Sequence, residues 1–512
     1  MATIKYHLIL LAWVLSSLCA GCHTIKPTLQ DEYVRPNLNQ DWHSVFDEHR
    51  KSIAKGMTKD KIPGLSIALV DREGLIWSAG FGYTDYDLKM PVTPDTIFSI
   101  QSMSKRLTIT VVMLAVQEGL VDLDTPITEY LPDFTVKSRF EKKPQDRMTL
   151  RHLLNHTAGF VHEAPVGNNY ESECPSFEAH IHSISDTWLK FPVGANSGYS
   201  NLGYDLAAYI IQIRSGRSFA EYMKEKIFDP LNMSNSSLDV EFIRQHPNRA
   251  IGNNPYIERA TLEIPMLGGA GVYTSARDMA KFVQFYLNWG KVKGHSVINK
   301  KFIQSIAPRL GLSQGFLDTY SPSSSDPNAI IRAYTQNTSG QGYGFRSTST
   351  WFPEYGMGLL ILTNYDNFDF HERLQGLLIN LAIDLLDKKL FKRTDIIYPT
   401  LEDYLADNPK RPKYKKPDSN TFTPYKSEWK KYTGTYQKIY DLNFYTYVRI
   451  ALALGYPEQR LKAKVYEKNG YLEINGKRLD EYKPGIFFTA DGDCLDFSGP
   501  LPLWKGARIK KK

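Results

Sequence analysis

Ser102 and Lys105 stand three residues apart in the stretch Phe98-Ser99-Ile100-Gln101-Ser102-Met103-Ser104-Lys105-Arg106-Leu107-Thr108. On a helix that spacing puts a hydroxyl and an amine on one face, about one turn apart. An amine beside a hydroxyl is one way to make a weak oxygen nucleophile attack a carbonyl. The Ile-, Val-, Met-, Leu- and Ala-rich run that follows predicts a buried helix opening here. Its N-terminal end favours negative charge on the serine oxygen. A second group is Tyr199-Ser200-Asn201. A cation beside a phenol favours the phenolate, which can take the serine proton and return it to a leaving group. The Asn201 carboxamide can hold a substrate carbonyl. A third group is Thr338-Ser339-Gly340-Gln341, just before Gly342-Tyr343-Gly344-Phe345. Glycine on an edge strand lets backbone approach a ligand closely, and such a strand can donate an N–H to a developing oxyanion. Together these residues would carry out acyl transfer through a serine ester.

Each motif is short, and each has decoys. Ser52-Ile53-Ala54-Lys55 and Ser427-Glu428-Trp429-Lys430 also place lysine three residues after serine, in Lys-rich, solvated surroundings. Tyr286-Leu287-Asn288 and Tyr365-Asp366-Asn367 repeat the tyrosine pattern, the first in an amphipathic helix and the second at a strand end. Context has to choose between them.

The elements around these motifs divide the chain. At 512 residues it is too long for one ordinary core, and its 42% hydrophobic and 23% charged residues are those of a folded globular protein. The net charge is only +7, much of the excess lying near residues 410–416 and 510–512. No basic helix interleaved with aromatics and no zinc-type Cys/His spacing occurs, which argues against nucleic-acid binding. Residues 1–22 read as an export signal: Lys5, the apolar run Leu8–Val14, then small residues up to Ala20-Gly21-Cys22. Ala20-Gly21-Cys22 resembles a bacterial lipobox with Cys22 as the lipidated residue, although Cys19 stands where leucine is usual. Acyl chains there would hold the protein on a membrane surface. Cys174 and Cys494 would then remain. An oxidising envelope permits a disulfide between them, but they fall in different expected domains and two unpaired thiols are the expectation.

Residues 23–40 read as a polar tether, 41–390 as the main domain, 391–425 as a Pro- and Lys-rich linker and 426–512 as a small β domain. In the main domain a helix is expected around Trp42–Ala54, and strands at Gly64–Val70 and Leu75–Gly82 around the turn Asp71–Gly74. A long helical stretch follows, with amphipathic runs at Leu150–Leu154, Leu202–Ile213, Phe219–Ile227 and Asp278–Leu287. A second hairpin, Tyr343–Phe352 and Met357–Thr363, and a closing helix, Leu374–Leu386, complete it. This order predicts an α+β fold: an antiparallel sheet flanked by helices, with a helical subdomain. The last domain reads as short strands at Tyr432–Tyr436, Phe444–Ile450, Ala463–Glu467, Tyr471–Ile474 and Ile486–Thr489. Asn469-Gly470 and Asn475-Gly476 are hairpin turns.

Several collinear blocks resemble the serine β-lactamase and penicillin-binding-protein superfamily, in its class C β-lactamase, D-aminopeptidase and family VIII esterase branch. The resemblance spans roughly residues 42–386. It includes Ile62-Pro63-Gly64-Leu65-Ser66, Pro94-Asp95-Thr96-Ile97-Phe98-Ser99, Leu153-Leu154-Asn155-His156-Thr157-Ala158-Gly159, Asp229-Pro230-Leu231-Asn232-Met233 and Gly268-Gly269-Ala270-Gly271-Val272. It selects Ser102 and Tyr199 over the decoys. It implies Ser102 as the acylated nucleophile, Lys105 as its activator and proton shuttle, Tyr199 as partner base and acid, and Asn201 as the group that positions the substrate carbonyl. Thr338, Ser339 and Gly340 would bind substrate, and the backbone N–H groups of Ser102 and Gln341 would form the oxyanion hole. His156 would support a structural turn. No metal and no cofactor is implied.

The sequence departs from the pattern at Thr338, where the family usually carries Lys, His or Trp. A hydroxyl lacks the charge that carboxylate recognition normally uses, which shifts the expectation toward a neutral ester or an amide. Arg332 and Arg346 are the nearby residues that would restore a charge. Tyr432-Thr433-Gly434-Thr435-Tyr436 resembles the opening of the lipocalin-like domain appended to many of these hydrolases. The expectation is an envelope serine hydrolase acting through an acyl-enzyme on an ester, D-amino-acid peptide or related amide. A β-lactamase or D-Ala-D-Ala carboxypeptidase, or a non-catalytic binding or sensor protein on the same scaffold, stands as the alternative.

Overall fold

Asp71 builds the first hairpin: its carboxylate accepts the backbone N–H groups of Glu73 and Gly74, closing the turn between two apolar strands. In this computed structural model, residues 28–85, 90–167, 175–253, 265–306, 313–320, 330–342, 344–366, 370–393, 415–438, 462–505 and 507–511 are described. The strands of the main domain are β1 (Leu29–Val34), β2 (Gly64–Asp71), β3 (Leu75–Gly82), β4 (Ile97–Ser99), β5 (Tyr273–Ser275), β6 (Lys291–Val292), β7 (His295–Ser296), β8 (Ser313–Tyr320), β9 (Ile330–Gly342), β10 (Phe345–Phe352) and β11 (Met357–Thr363). Seven of them form one antiparallel sheet in the order β1-β3-β2-β11-β10-β9-β8. The sheet is the one expected.

Both faces of its central strands are buried, so these strands read as continuous apolar runs. Leu65, Ile67 and Leu69 of β2 and Leu359 and Ile361 of β11 face one core, which the helices Gln40–Asp60 and Phe370–Asp387 cover. Ala68, Val70, Leu360 and Leu362 face the other, larger core, shared with the helices Ser104–Gln117, Leu202–Ser215 and Ala276–Leu287. The period-2 alternation of strand side chains thus divides one sheet between two cores.

Several expectations change. The segment read as a tether, 23–40, contains β1, which pairs with β3. Its residues are too polar to announce a strand, but Glu32 accepts from Trp77 Nε1 at 2.6 Å, which seats the edge. Ser102 lies not in the first α-helical turn but in a 3₁₀ turn, Gln101–Met103, that feeds the helix beginning at Ser104. The run at Phe219 is α-helical to Met223 and then widens into a π-turn, Lys224–Phe228. Of the linker 391–425, the described C-terminal part belongs to the β domain: Phe422 is buried, and Thr423 bonds to Asp480.

The small domain comprises β12 (Gly434–Lys438), β13 (Lys462–Lys468), β14 (Tyr471–Ile474), β15 (Lys477–Arg478), β16 (Asp480–Lys483), β17 (Ile486–Phe488), β18 (Cys494–Asp496), β19 (Leu503–Trp504) and β20 (Ala507–Lys511). Their order is β15-β14-β13-β12-β20-β19-β18-β17-β16. The two edges, β15 and β16, are separated in sequence only by Leu479, so the sheet curls until its edges come together. The Asn-Gly turns are where the sequence puts them, with left-handed φ of 52° and 79° at Asn469-Gly470 and 48° and 81° at Asn475-Gly476. The expected strand Phe444–Ile450, the export signal with Cys22, and Cys174 lie outside the described residues. Cys494 is a free, buried thiol.

Candidate active site

The turn that carries Ser102 is held from below by β10. Ser347 Oγ donates to Ile100 O at 2.7 Å. Ser347 faces Gly340 across the β9–β10 ladder. A Cβ on Gly340 would stand 2.0 Å from Ile100 O and 2.9 Å from Ser102 N, so only glycine lets β9 pass this close to the nucleophile. Gln101, the residue before the nucleophile, takes φ 49°, a left-handed conformation that turns the chain sharply into the helix. Its amide is anchored on Ser99 Oγ at 2.8 Å.

The structure brings Ser102, Lys105, Tyr199 and Asn201 together. Ser102 Oγ lies 2.7 Å from Tyr199 OH. Lys105 Nζ donates to Ser102 Oγ at 3.1 Å, to Asn201 Oδ1 at 2.7 Å and to Gly269 O at 2.7 Å. These three bonds use all three N–H groups of an ammonium. Ser102 Oγ, which accepts from Lys105, also shares a hydrogen bond with Tyr199 OH in which either hydroxyl can be the donor. Lys105 is buried while Tyr199 is 49% exposed, so the cation sits behind the phenol and the phenol meets the pocket.

Two shells hold these groups. Gly269 N–H donates to Asp205 Oδ1 at 2.8 Å, and Asp205 Oδ2 pairs with His180 Nε2 at 3.2 Å, both side chains fully buried. Burial pushes the His180 imidazole down, but its hydrogen bond to Asp205 and the charge of that carboxylate outweigh it and leave the group above its ordinary value. The ring of Tyr199 packs against His156, 4.7 Å away between centroids, and against His162, 5.5 Å away. Burial, with the nearby Lys105 and His162 charges, pushes His156 down to about 3. The neutral ring accepts Ser200 N–H at Nδ1, 3.2 Å away. His156 thus holds the tyrosine loop in place, in keeping with the supporting role expected of it.

A pocket of about 320 Å³ opens over Ser102, a size that admits a small substrate. It is lined by Gln101, Ser102, His162, Tyr199, Asn201, Ala270, Ser339, Gly340, Gln341 and Arg346. Thr338, half-buried opposite Ser349 in the ladder, does not line it. Arg332 lies earlier on β9. Arg346 is 2% exposed and lies opposite Gln341 in the ladder. Its Nε is 3.1 Å from Asp366 Oδ1. Burial lifts the Asp366 carboxyl to about 6 against the pull of Arg346 and a hydrogen bond from Gln341.

His162 was not among the expected site residues. Its Nδ1 is 2.6 Å from Oε1 of buried Glu163, and the ring lines the pocket. The only signal in the sequence was its place just past the His156-Thr157-Ala158-Gly159 block. Among the described residues no group of three or more His, Cys, Asp or Glu side chains is arranged to hold a metal ion.

The sequence pattern of the Beta-lactamase family matches residues 49–382. Protein flp of Staphylococcus aureus (strain NCTC 8325 / PS 47) is 25% identical over 240 residues, covering 46% of this chain and 48% of that protein. This chain thus spans about half the length of that relative. Among solved structures, the octameric penicillin-binding protein homologue from Pyrococcus abyssi superimposes with a TM-score of 0.53 at 21% identity, covering 90% of this chain and 95% of that one. The D-alanine carboxypeptidase AmpC from Burkholderia cenocepacia gives a TM-score of 0.53 at 22% identity, over 67% of this chain and 99% of that one. At these identities the two structures bear on the fold alone.

Proposed function

The chain belongs to the beta-lactamase family of serine hydrolases, and on that footing we propose that it hydrolyses an ester, D-amino-acid peptide or related amide through an acyl-enzyme on Ser102. The observation that carries this reading is the placement of Ser102 Oγ 2.7 Å from Tyr199 OH and 3.1 Å from Lys105 Nζ on the floor of an open pocket. Acting as the phenolate, Tyr199 takes the proton of Ser102 as the Ser102 oxygen bonds to the substrate carbonyl carbon. The Lys105 ammonium, fixed on Asn201 and Gly269, stabilises the negative charge on the phenolate before the transfer and on the serine oxygen during it. The backbone N–H groups of Ser102 and Gln341 receive the carbonyl oxygen as it gains charge. Tyr199 then returns the proton to the leaving group, and water attacking the Ser102 ester repeats the cycle in reverse.

One feature favours a neutral acyl group: Arg346, the arginine that lines the pocket, is paired with Asp366. The second reading, a β-lactamase or D-Ala-D-Ala carboxypeptidase, rests on Arg346 itself, a guanidinium that lines the pocket and suits a carboxylate.

A fluorophosphonate probe and a fluorescent penicillin, each applied to wild type and to Ser102→Ala, test the reading. Fluorophosphonate labelling that disappears in Ser102→Ala is the expected result. Penicillin labelling with rapid turnover would promote the second reading. Labelling by neither reagent would sink both and leave a binding or sensor protein.

A further inference from the structure

The β domain docks beside the loop that carries Tyr199. Trp188 donates its indole N–H to Asp496 at 2.8 Å. Its ring meets Phe488 edge-on at 5.5 Å, and Trp188, Ile486, Phe488 and Cys494 form one apolar cluster across the two domains. Lys190 pairs with Asp493 at 3.0 Å. Gly492 lies so close that a Cβ on it would stand 2.0 Å from Lys190 O.

From Lys190 the chain runs to Tyr199 without slack. Lys190 N–H donates to Gly159 O at 2.8 Å, Gly194 N–H to Thr157 O at 2.8 Å and Gly198 N–H to His156 O at 2.9 Å. Phe191, buried, packs its ring against Gly198, where a Cβ would come within 3.0 Å of it. A shift at Lys190 therefore passes through Phe191 and Gly198 to the phenol.

We propose that Trp188 and Lys190 are positioning residues for Tyr199, and that the β domain, through Asp496 and Asp493, braces the loop so that the phenol stays within reach of Ser102. This rests on the serine-hydrolase reading above. Two residues of the β domain are thereby given a part in the reaction, although neither touches substrate.

The full-length protein tests it. Gly492→Ala wedges the contact at Lys190, and Trp188→Phe keeps a ring but removes the bond to Asp496. Both are expected to speed hydrogen exchange in peptides covering residues 191–201. Exchange in the helix Ser104–Gln117 should stay as it was. Both should also lower kcat for an ester substrate by ~10-fold or more with little change in KM, since an ångström of misplacement is that costly. Should Gly492→Ala fail to fold, Trp188→Phe decides. Faster exchange at residues 186–190 with unaltered exchange at 191–201 and unaltered kcat would overturn the brace. If wild type hydrolyses nothing, the hydrolase reading fails, while the exchange data still decide whether the loop is braced.

Discussion

Lys105 Nζ donates to Asn201 Oδ1 at 2.7 Å, and that bond sets which way the carboxamide points. The opposite end of the amide, Nδ2, donates to the thioether of Met266 at 3.6 Å, a weak acceptor that a substrate carbonyl can displace. One lysine thus directs the serine, through its bond to Oγ, and the group that would receive the substrate.

Asn201→Ala should therefore do two things. It removes one donor from the pocket and should lower kcat/KM about 100-fold or more. It also leaves an N–H of buried Lys105 without its acceptor, at about 1–3 kcal/mol of stability. Steady-state kinetics and chemical denaturation measure the two effects separately. Loss of stability with full activity would remove Asn201 from the site.

Tyr199→Phe is expected to behave differently. The hydroxyl lies at the exposed end of a half-exposed ring that His156 and His162 still hold. Stability should stay near wild type, while the rate of Ser102 acylation should fall by roughly 100- to 10,000-fold, the worth of a positioned proton acceptor. Rapid-mixing measurement of the acylation burst checks this, and an undiminished burst would assign the proton to another group.

The Arg346–Asp366 pair predicts how ligand charge and pH interact. Burial holds the Asp366 carboxyl at about 6, so below that pH it is neutral and no longer offsets Arg346. Inhibitors that carry a carboxylate should bind more tightly as pH falls through about 6, and uncharged analogues should not. Asp366→Asn should abolish the pH step. Inhibition constants of a matched acid and amide, taken across the step, decide it.

His156 makes the fold acid-sensitive. Its folded value is about 3 against an ordinary value of 6.5, so between those pH values the unfolded chain binds the proton and the folded chain does not. The stability from the neutral ring is complete above about 6.5 and is lost as pH falls toward about 3. His156→Asn, which tolerates the φ of 56° at this position, should flatten the fall of melting temperature over that range. An unchanged acid profile would place the sensitivity elsewhere.

The N-terminal reading has its own test. If Cys22 carries acyl chains, Cys22→Ser should move the protein from the membrane fraction to the soluble fraction of expressing cells. Co-sedimentation of both proteins with membranes would refute the anchor. Among the described residues no helix is long and apolar enough to cross a membrane.

Much of this protein was legible from local pattern. The apolar runs around Asp71–Gly74, the Asn-Gly pairs at 469–470 and 475–476, and the apolar helix after Ser102 are set by backbone propensities acting over a few residues, and they stand in the structure nearly where the sequence puts them. Collinear blocks favoured Ser102 and Tyr199 over their decoys, and the structure brings these two residues together. The edge strand β1 carries no local strand pattern because its stability comes from partners further along the chain, Trp77 and Arg50 on Glu32, rather than from its own residues.

The relations between residues distant in sequence come from the packing of the whole chain. The sheet register puts Arg346 opposite Gln341, which selects it over Arg332 as the guanidinium that lines the pocket and leaves Thr338 out of the lining. The packing of two loops stacks His162 on Tyr199. The docking of the β domain ties Asp496 to Trp188, 308 residues away. No local propensity encodes such contacts. They follow from which strands pair and which faces bury, and these are settled only when the whole chain has closed its loops.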